Sequence, residues 1–221
     1  MNKLKPFIKP ASYIIVYFLI TIVLSAVYSF MNIDSKVATS VAMIVVSLLS
    51  TMYVIYATKE KLKGQGEKFL KNFKSNIKVI LTVWFLGLIS MMFANMILII
   101  LLEGIAPNEE ANREVLGNYM LYSIIYTCIL APIAEELLFR LNFRECFKNK
   151  KAFILGTGLI FGAMHVVLSM EGLTDILYVI PYSILGCAMS KIYIETDNIY
   201  SSILAHMIHN TFTMLVIVLN L

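Results

Sequence analysis

Residues 79–102 read VILTVWFLGLISMMFANMILIILL, twenty-four positions without one charged side chain or histidine. Wound as an α-helix at 1.5 Å per residue, the stretch is roughly 36 Å long and crosses the roughly 30 Å hydrocarbon core of a bilayer. Outward from it, apolar runs of similar length occupy 11–31, 38–57, 117–140, 152–170, 174–194 and 200–221. Of the 221 residues, 59% are hydrophobic and 14% charged, where soluble domains run near 45–50% apolar and about 25% charged. No soluble core absorbs that excess. The expected fold is therefore all-α, a polytopic membrane helix bundle of about seven transmembrane helices in one membrane domain, 1–221, with the lipid bilayer as its standing partner. The first run follows Lys3, Lys5 and Lys9, but it is longer than a signal-peptide core and no small-residue cleavage site follows it, so it reads as a retained helix. Cys128, Cys146 and Cys187 are too few and too scattered for a disulfide framework or thiolate metal site and read as packing residues.

The charges order the connections. The N-terminus carries three lysines, 58–78 seven, and 141–151 holds Arg144, Lys148, Lys150 and Lys151, so these segments read as cytoplasmic. Glu103, Glu109, Glu110 and Glu114 against Arg113, and Glu171 with Asp175, mark external segments. Strict alternation then puts the near-neutral Asp34/Lys36 loop outside and Lys191–Asp197 inside, with the N-terminus in and the C-terminus out. The lysine run at 58–78 raises acidic partners as an option. Beside two membrane spans, and with Phe69 and Phe73 spaced i, i+4, it reads as an interfacial stretch against anionic lipid rather than a nucleic-acid site.

A charge at bilayer depth costs about 2.5–3.5 kcal/mol on insertion scales, so ionisable groups there need a local reason. They cluster in the second half: Glu135, Glu136 and Arg140 in the fourth span, His165 in the fifth, His206, His209 and Asn210 in the seventh. Glu136 and Arg140 stand i, i+4 with the acid first, the order that favours a pair. Glu135 sits about 100° around the helix from Glu136 and is free to face another helix. His206 and Asn210, also i, i+4, share a face. Pro132, about one turn before Glu135, removes a backbone donor and is expected to disturb the helix there. A hairpin turning near Asn149 brings Glu135 and His165 to nearly the same depth, roughly 21 and 24 Å from the tip, which predicts a polar pocket facing the lysine-rich side.

A glutamate beside a histidine in a partly dry pocket holds and deprotonates water, and a second histidine with an asparagine one turn on supplies donors for an oxyanion. The same residues carry a metal reading, in which Glu135, His165 and His206 ligate zinc and leave one position for water. There is no H-E-x-x-H, so spacing alone leaves the two readings open. His209 and the glycines Gly156, Gly158 and Gly162 read as helix-packing residues. A proton-coupled transporter also uses intramembrane acids and histidines, but no internal hydropathy symmetry accompanies them here.

Glu135-Glu136-Leu137-Leu138-Phe139-Arg140 resembles the E-E-x-x-x-R motif of the CPBP family (CAAX proteases and bacteriocin-processing enzymes, also called the Abi family). Phe161-Gly162-Ala163-Met164-His165 resembles its F-x-x-x-H, and His206-Met207-Ile208-His209-Asn210 its H-x-x-x-N. The resemblance covers 117–221, a four-helix catalytic core, and leaves 1–116 as three accessory helices and their loops. It implies intramembrane endopeptidase activity on a membrane-associated peptide or protein. Glu135 and His165 then activate water, His206 and Asn210 stabilise the oxyanion, and Glu136 and Arg140 support them. Family members are commonly called metalloproteases; a glutamate mechanism needs no metal, and the metal-free version is the one expected here, with zinc on Glu135, His165 and His206 as its rival. The lysine, isoleucine and asparagine richness suggests a bacterial plasma membrane and a role in bacteriocin or peptide processing or in self-immunity. The alternative is a non-catalytic immunity or interaction protein with the same fold.

Overall fold

The structure, a computed structural model, describes residues 5–31, 33 and 35–219; Lys3, Asp34 and the last two positions of the seventh expected span lie outside them. Among the described residues there are helices and turns and no strand. Helices α1 (Lys5–Phe30) and α2 (Lys36–Leu62) form an antiparallel pair held by Tyr28 Oη to Thr39 Oγ1 at 3.0 Å and Thr21 Oγ1 to Ser50 Oγ at 2.9 Å. Such bonds between hydroxyls link helices in lipid, where no water competes. Ser47, Thr51, Val54 and Thr58 make a buried stripe on α2 at 4-3-4 spacing, and their small side chains let the next layer approach closely. Gly64, at φ 73°, turns the chain through the left-handed region. It leads into the short α3 (Gln65–Lys71), from which the long α4 (Phe73–Leu102) recrosses the bundle.

The remaining elements are α5 (Pro107–Asn118), α6 (Met120–Ile125), α7 (Ala131–Glu135), α8 (Lys150–Val167), α9 (Val179–Thr196) and α10 (Ile199–Leu219). The tightest packing lies between α8 and α9. A Cβ on Gly162 would come within 2.3 Å of Ser183 Oγ and 2.7 Å of the Val179 carbonyl, and one on Gly158 within 2.4 Å of Cys187 Sγ. The G-x-x-x-G of the sequence is thus a backbone contact, as close approach in lipid requires.

Six helical segments are long and apolar enough to cross a membrane: Lys5–Phe30, Lys36–Leu62, Phe73–Leu102, Lys150–Val167, Leu173–Thr196 and Ile199–Leu219. The protein is a multi-pass membrane protein. The fourth expected span, 117–140, is built differently. From Met120 to Leu141 the chain alternates α6, a π-helical turn Tyr126–Leu130, α7, and a second π-helical turn Glu136–Leu141, with its buried charges, Glu136 and Arg140, in the last. Its polarity is tolerated because the other helices surround it. The apolar stretch of α1 is 0% buried inside the protein and that of α4 11%, while Leu173–Thr196 reaches 44%. The first and fourth helices therefore present their side chains to lipid and the last ones wrap the polar interior.

The ends sort by charge. Lys61 Nζ lies 3.6 Å from Glu145 Oε2, Cys146 Sγ donates to the Pro6 carbonyl at 3.1 Å, Lys68 pairs with Asp197, and Asn198 Nδ2 donates to the Gln65 carbonyl at 2.7 Å. The described N-terminus, 58–78, 141–151 and 191–197 thus share one end of the bundle, as the alternation of charge requires. At the other end Tyr178 Oη donates to the Gly104 carbonyl at 2.6 Å and Asn108 Nδ2 to Tyr182 Oη at 3.3 Å.

Candidate active site

Two neighbouring carboxylates on the Met120–Leu141 run face different surroundings. Glu136 is fully buried and fully engaged: Arg140 Nη1 stands 3.0 Å from Oε1, His206 Nδ1 2.8 Å from the same atom, and Ser202 Oγ donates to Oε2. Arg140, also fully buried, gives Nη2 to the Gly186 carbonyl at 3.1 Å and Nε to Ser190 Oγ at 3.3 Å, and its guanidinium lies 4.5 Å from the centre of the Phe161 ring. Ser190 is in turn joined to Thr157 at 2.7 Å. The i, i+4 spacing of acid and base thus seeds a closed network spanning α8, α9 and α10.

Glu135 points the other way. Its side chain is 21% exposed, and Oε2 has no hydrogen-bond partner. That oxygen lies 3.9 Å from Nε2 of His165 and 3.9 Å from Nε2 of His206. The histidines are oriented from behind. His165 Nδ1 is 2.9 Å from the Phe161 carbonyl, which only accepts, so Nδ1 carries the hydrogen and Nε2 presents its lone pair in the neutral ring. The ring also stacks on Tyr182, 5.1 Å between centres. His206 spends Nδ1–H on Glu136, and its Nε2 likewise faces Glu135. Asn210, one turn beyond His206, donates Nδ2–H to the Thr127 carbonyl at 2.8 Å. The structure therefore brings Glu135, His165 and His206 together, keeps Glu136 and Arg140 behind them, and holds Asn210 beside them.

These groups line the floor of a cavity of about 450 Å³. Its walls are α4 through Leu88, Met91 and Asn95, and α10 from His206 to Ile217, while Asn108, Asn112 and Arg113 of α5 stand at its mouth. The opening is thus toward the lysine-poor end, the reverse of the pocket that depth alone predicts. The cause is the apolar plug on the lysine-rich side, where Leu137, Leu141, Phe153, Tyr193 and Ile199 are buried in one cluster.

Two lining residues, Asn95 and Tyr182, carry no expectation from the sequence, and His209 reads there as a helix-packing residue. Asn95 is an amide in the middle of an uncharged span, and that polarity was its signal. Tyr182 is one aromatic among many in the spans, and nothing in the sequence distinguishes it. His209 lines the cavity at 4% exposure with Nδ1 unpartnered.

The zinc reading meets a spacing test. Two imidazole Nε2 lone pairs, each backed by an acceptor on Nδ1, and one carboxylate are the right donors for zinc. Donors on tetrahedral zinc at about 2.0–2.1 Å stand about 3.3 Å apart, whereas Oε2 is 3.9 Å from each Nε2. Among the described residues no three His, Cys, Asp or Glu side chains are placed to hold an ion. The set as arranged does not fit the metal.

Residues 117–212 match a family model described as type II CAAX prenyl endopeptidase Rce1-like, the same stretch that carries the three motifs. That stretch is similar to the CPBP, or CAAX protease, family of intramembrane proteases. It is 25% identical over 151 residues to UPF0177 protein YxdF of Lactococcus lactis, covering 65% of this chain and 81% of that one. It is 28% identical over 113 residues to a Bacillus subtilis protein provisionally named membrane peptidase YdiL, covering 50% and 43%, and 24% identical over 194 residues to an uncharacterized protein of Mycoplasma capricolum, covering 81% and 56%. Of the latter two the alignment thus spans about half the length. No solved structure matches.

Proposed function

We propose that this protein is an endopeptidase that hydrolyses a peptide bond of a membrane-associated peptide or protein, with Glu135 and His165 activating water. The observation that carries the reading is the position of Glu135 Oε2, unpartnered and 3.9 Å from both Nε2 atoms on the floor of the cavity. That distance is too long for a direct hydrogen bond, and one water at about 2.8 Å from each atom spans it.

Such a water gives one hydrogen to Oε2 and the other to the Nε2 lone pair of His165, which leaves its own lone pairs toward the cavity. Glu135 takes the proton as the oxygen bonds to the scissile carbon, and the carbonyl becomes an oxyanion. His206 Nε2 carries a hydrogen only in the charged ring. In that form Glu135, Glu136, Arg140 and His206 sum to zero charge inside the membrane, and Nε2–H faces the oxyanion. Asn210 is the second oxyanion donor that the family resemblance implies. Collapse breaks the C–N bond, the proton on Glu135 passes to the leaving nitrogen, and the products are a carboxylic acid and an amine. No step calls for a metal. The physiological setting favoured by the resemblance is maturation of a secreted peptide or self-immunity to a bacteriocin.

The test is purified protein in lipid vesicles with a library of apolar peptides in H₂¹⁸O. Hydrolysis puts one ¹⁸O into each new C-terminal carboxylate, read by mass spectrometry with the cleavage position. Wild type incorporates the label, while Glu135→Gln and His165→Ala at matched protein levels do not. Equal labelling by all three overturns the assignment, and no labelling by wild type on any peptide leaves the binding-protein alternative.

A further inference from the structure

Pro132 takes a backbone N–H out of the helix that carries Glu135, and the hydrogen bonds around it show which carbonyl loses its partner. In the π-helical turn Tyr126–Leu130 the Ala131 N–H reaches back five residues to the Tyr126 carbonyl, not four to that of Thr127. In the same register the donor to the Thr127 carbonyl is the nitrogen of Pro132, which has no hydrogen. The Thr127 carbonyl is thereby left without a helix donor, and a partly buried carbonyl in that state is destabilising. Asn210 Nδ2, 2.8 Å away, fills the place from α10.

The bond sits where it sets the site's geometry. Thr127 lies eight residues before Glu135 on one helix, and Asn210 one turn after His206 on another. Between them the Glu136–His206 hydrogen bond at 2.8 Å is the second tie. Two fixed points on each helix define both its rotation and its slide, so the backbone that carries Glu135 keeps its register against His206 unless one tie breaks.

We propose that Asn210 is a positioning residue: its amide closes the carbonyl orphaned by Pro132 and so locks the Glu135 helix in register against the His206 helix. A primary amide has two hydrogens, and the one on Thr127 fixes the plane in which the other faces the cavity. The activity arm of the test rests on the endopeptidase reading; the stability arm does not.

The experiment is a double-mutant cycle in the full chain, with wild type, Asn210→Ala, Pro132→Ala and the pair. The Pro132→Ala substitution restores an N–H that the Thr127 carbonyl accepts. Readouts are the thermal midpoint in detergent, and kcat and KM on the library peptide with the strongest ¹⁸O labelling. With Pro132 present, Asn210→Ala lowers the midpoint and reduces kcat about 100-fold with KM little changed, the scale of a small misplacement of catalytic groups. In the Pro132→Ala background, the midpoint loss vanishes and the kcat loss falls below about tenfold. Equal losses from Asn210→Ala in both backgrounds overturn the proposal and assign Asn210 to the oxyanion alone. Should Pro132→Ala by itself stop turnover, the midpoints decide: additive shifts overturn the proposal, non-additive shifts support it. A wild type that labels no peptide fails the endopeptidase reading and leaves this stability cycle intact.

Discussion

On the lysine-rich side of the bundle's middle, Glu136 meets Arg140, His206 and Ser202 and sees no solvent. On the lysine-poor side, one residue earlier, Glu135 has an oxygen without a partner and opens on a cavity of about 450 Å³. The 100° step of a helix is what separates them. One carboxylate is consumed by structure so that the other is left free in a place where a free carboxylate is expensive. A buried ion pair is weak evidence for stability in itself. Its use here is that the pair and its hydrogen bonds hold His206 with Nε2 toward Glu135, and the Glu136 network thereby builds half of the site that Glu135 completes.

The largest expected effect comes from exchanging the two acids separately. Glu135→Gln keeps shape and loses the base, so turnover falls by about 10⁴-fold. Because Oε2 has no partner to lose, its thermal midpoint stays at the wild-type value. Glu136→Gln behaves in the opposite sense: the midpoint falls, and activity falls further than the folded fraction because His206 loses the carboxylate that orients it. Parallel melting and ¹⁸O-labelling curves on both variants check this. Equal loss of stability by both would erase the distinction between the acids.

Next in size is Arg140→Ala, which strands a buried carboxylate and frees the Gly186 carbonyl and Ser190. Removing one partner of a buried pair costs about 3–5 kcal/mol, so this variant is expected to be recovered in low yield and to melt early. Arg140→Lys keeps the charge without the fork and recovers part of the loss.

The Glu136–Arg140 pair and the roughly equal depth of Glu135 and His165 were legible in the sequence because both follow from rise and turn along single helices. The grouping of the lysine-bearing segments at one end was legible for a similar reason, since alternation of charge needs only the order of segments. What was hidden depends on neighbours. Pro132 announces a disturbance, but the π-helical turn that answers it needs Asn210 from a helix about eighty residues away. The end at which the cavity opens was misread because it is decided by the packing of Leu137, Phe153 and Tyr193 below the site, and no periodicity encodes that. The tolerance of Met120–Leu141 for three charges likewise comes from enclosure by α2, α8, α9 and α10, not from its own composition.

A smaller perturbation reaches the comparison through α8. Gly162→Ala places a methyl 2.3 Å from Ser183 Oγ and 2.7 Å from the Val179 carbonyl, so α8 and α9 must part, at about 1–3 kcal/mol of overpacking. His165 stands three residues on from Gly162 and stacks on Tyr182 of α9. Separation of these helices is therefore expected to reduce kcat more than the modest fall in midpoint explains, whereas Gly156→Ala, whose methyl meets the movable Phe147 ring, changes both less.

The smallest expected effect is that of a chelator. Glu135 Oε2 stands 3.9 Å from each Nε2, and about 3.3 Å is what tetrahedral zinc imposes on its donors. Closing about 0.6 Å on both sides requires the Glu135 side chain to shift, because His165 and His206 are held from behind at the Phe161 carbonyl and Glu136 by bonds of 2.9 and 2.8 Å. ¹⁸O labelling by wild type after extended dialysis against a strong chelator is therefore expected to match that of the untreated protein. Loss of labelling with recovery on zinc alone would mean that the donors close in around the ion. Glu135 would then be a ligand, and the contrast with Glu136 would be one between two structural carboxylates.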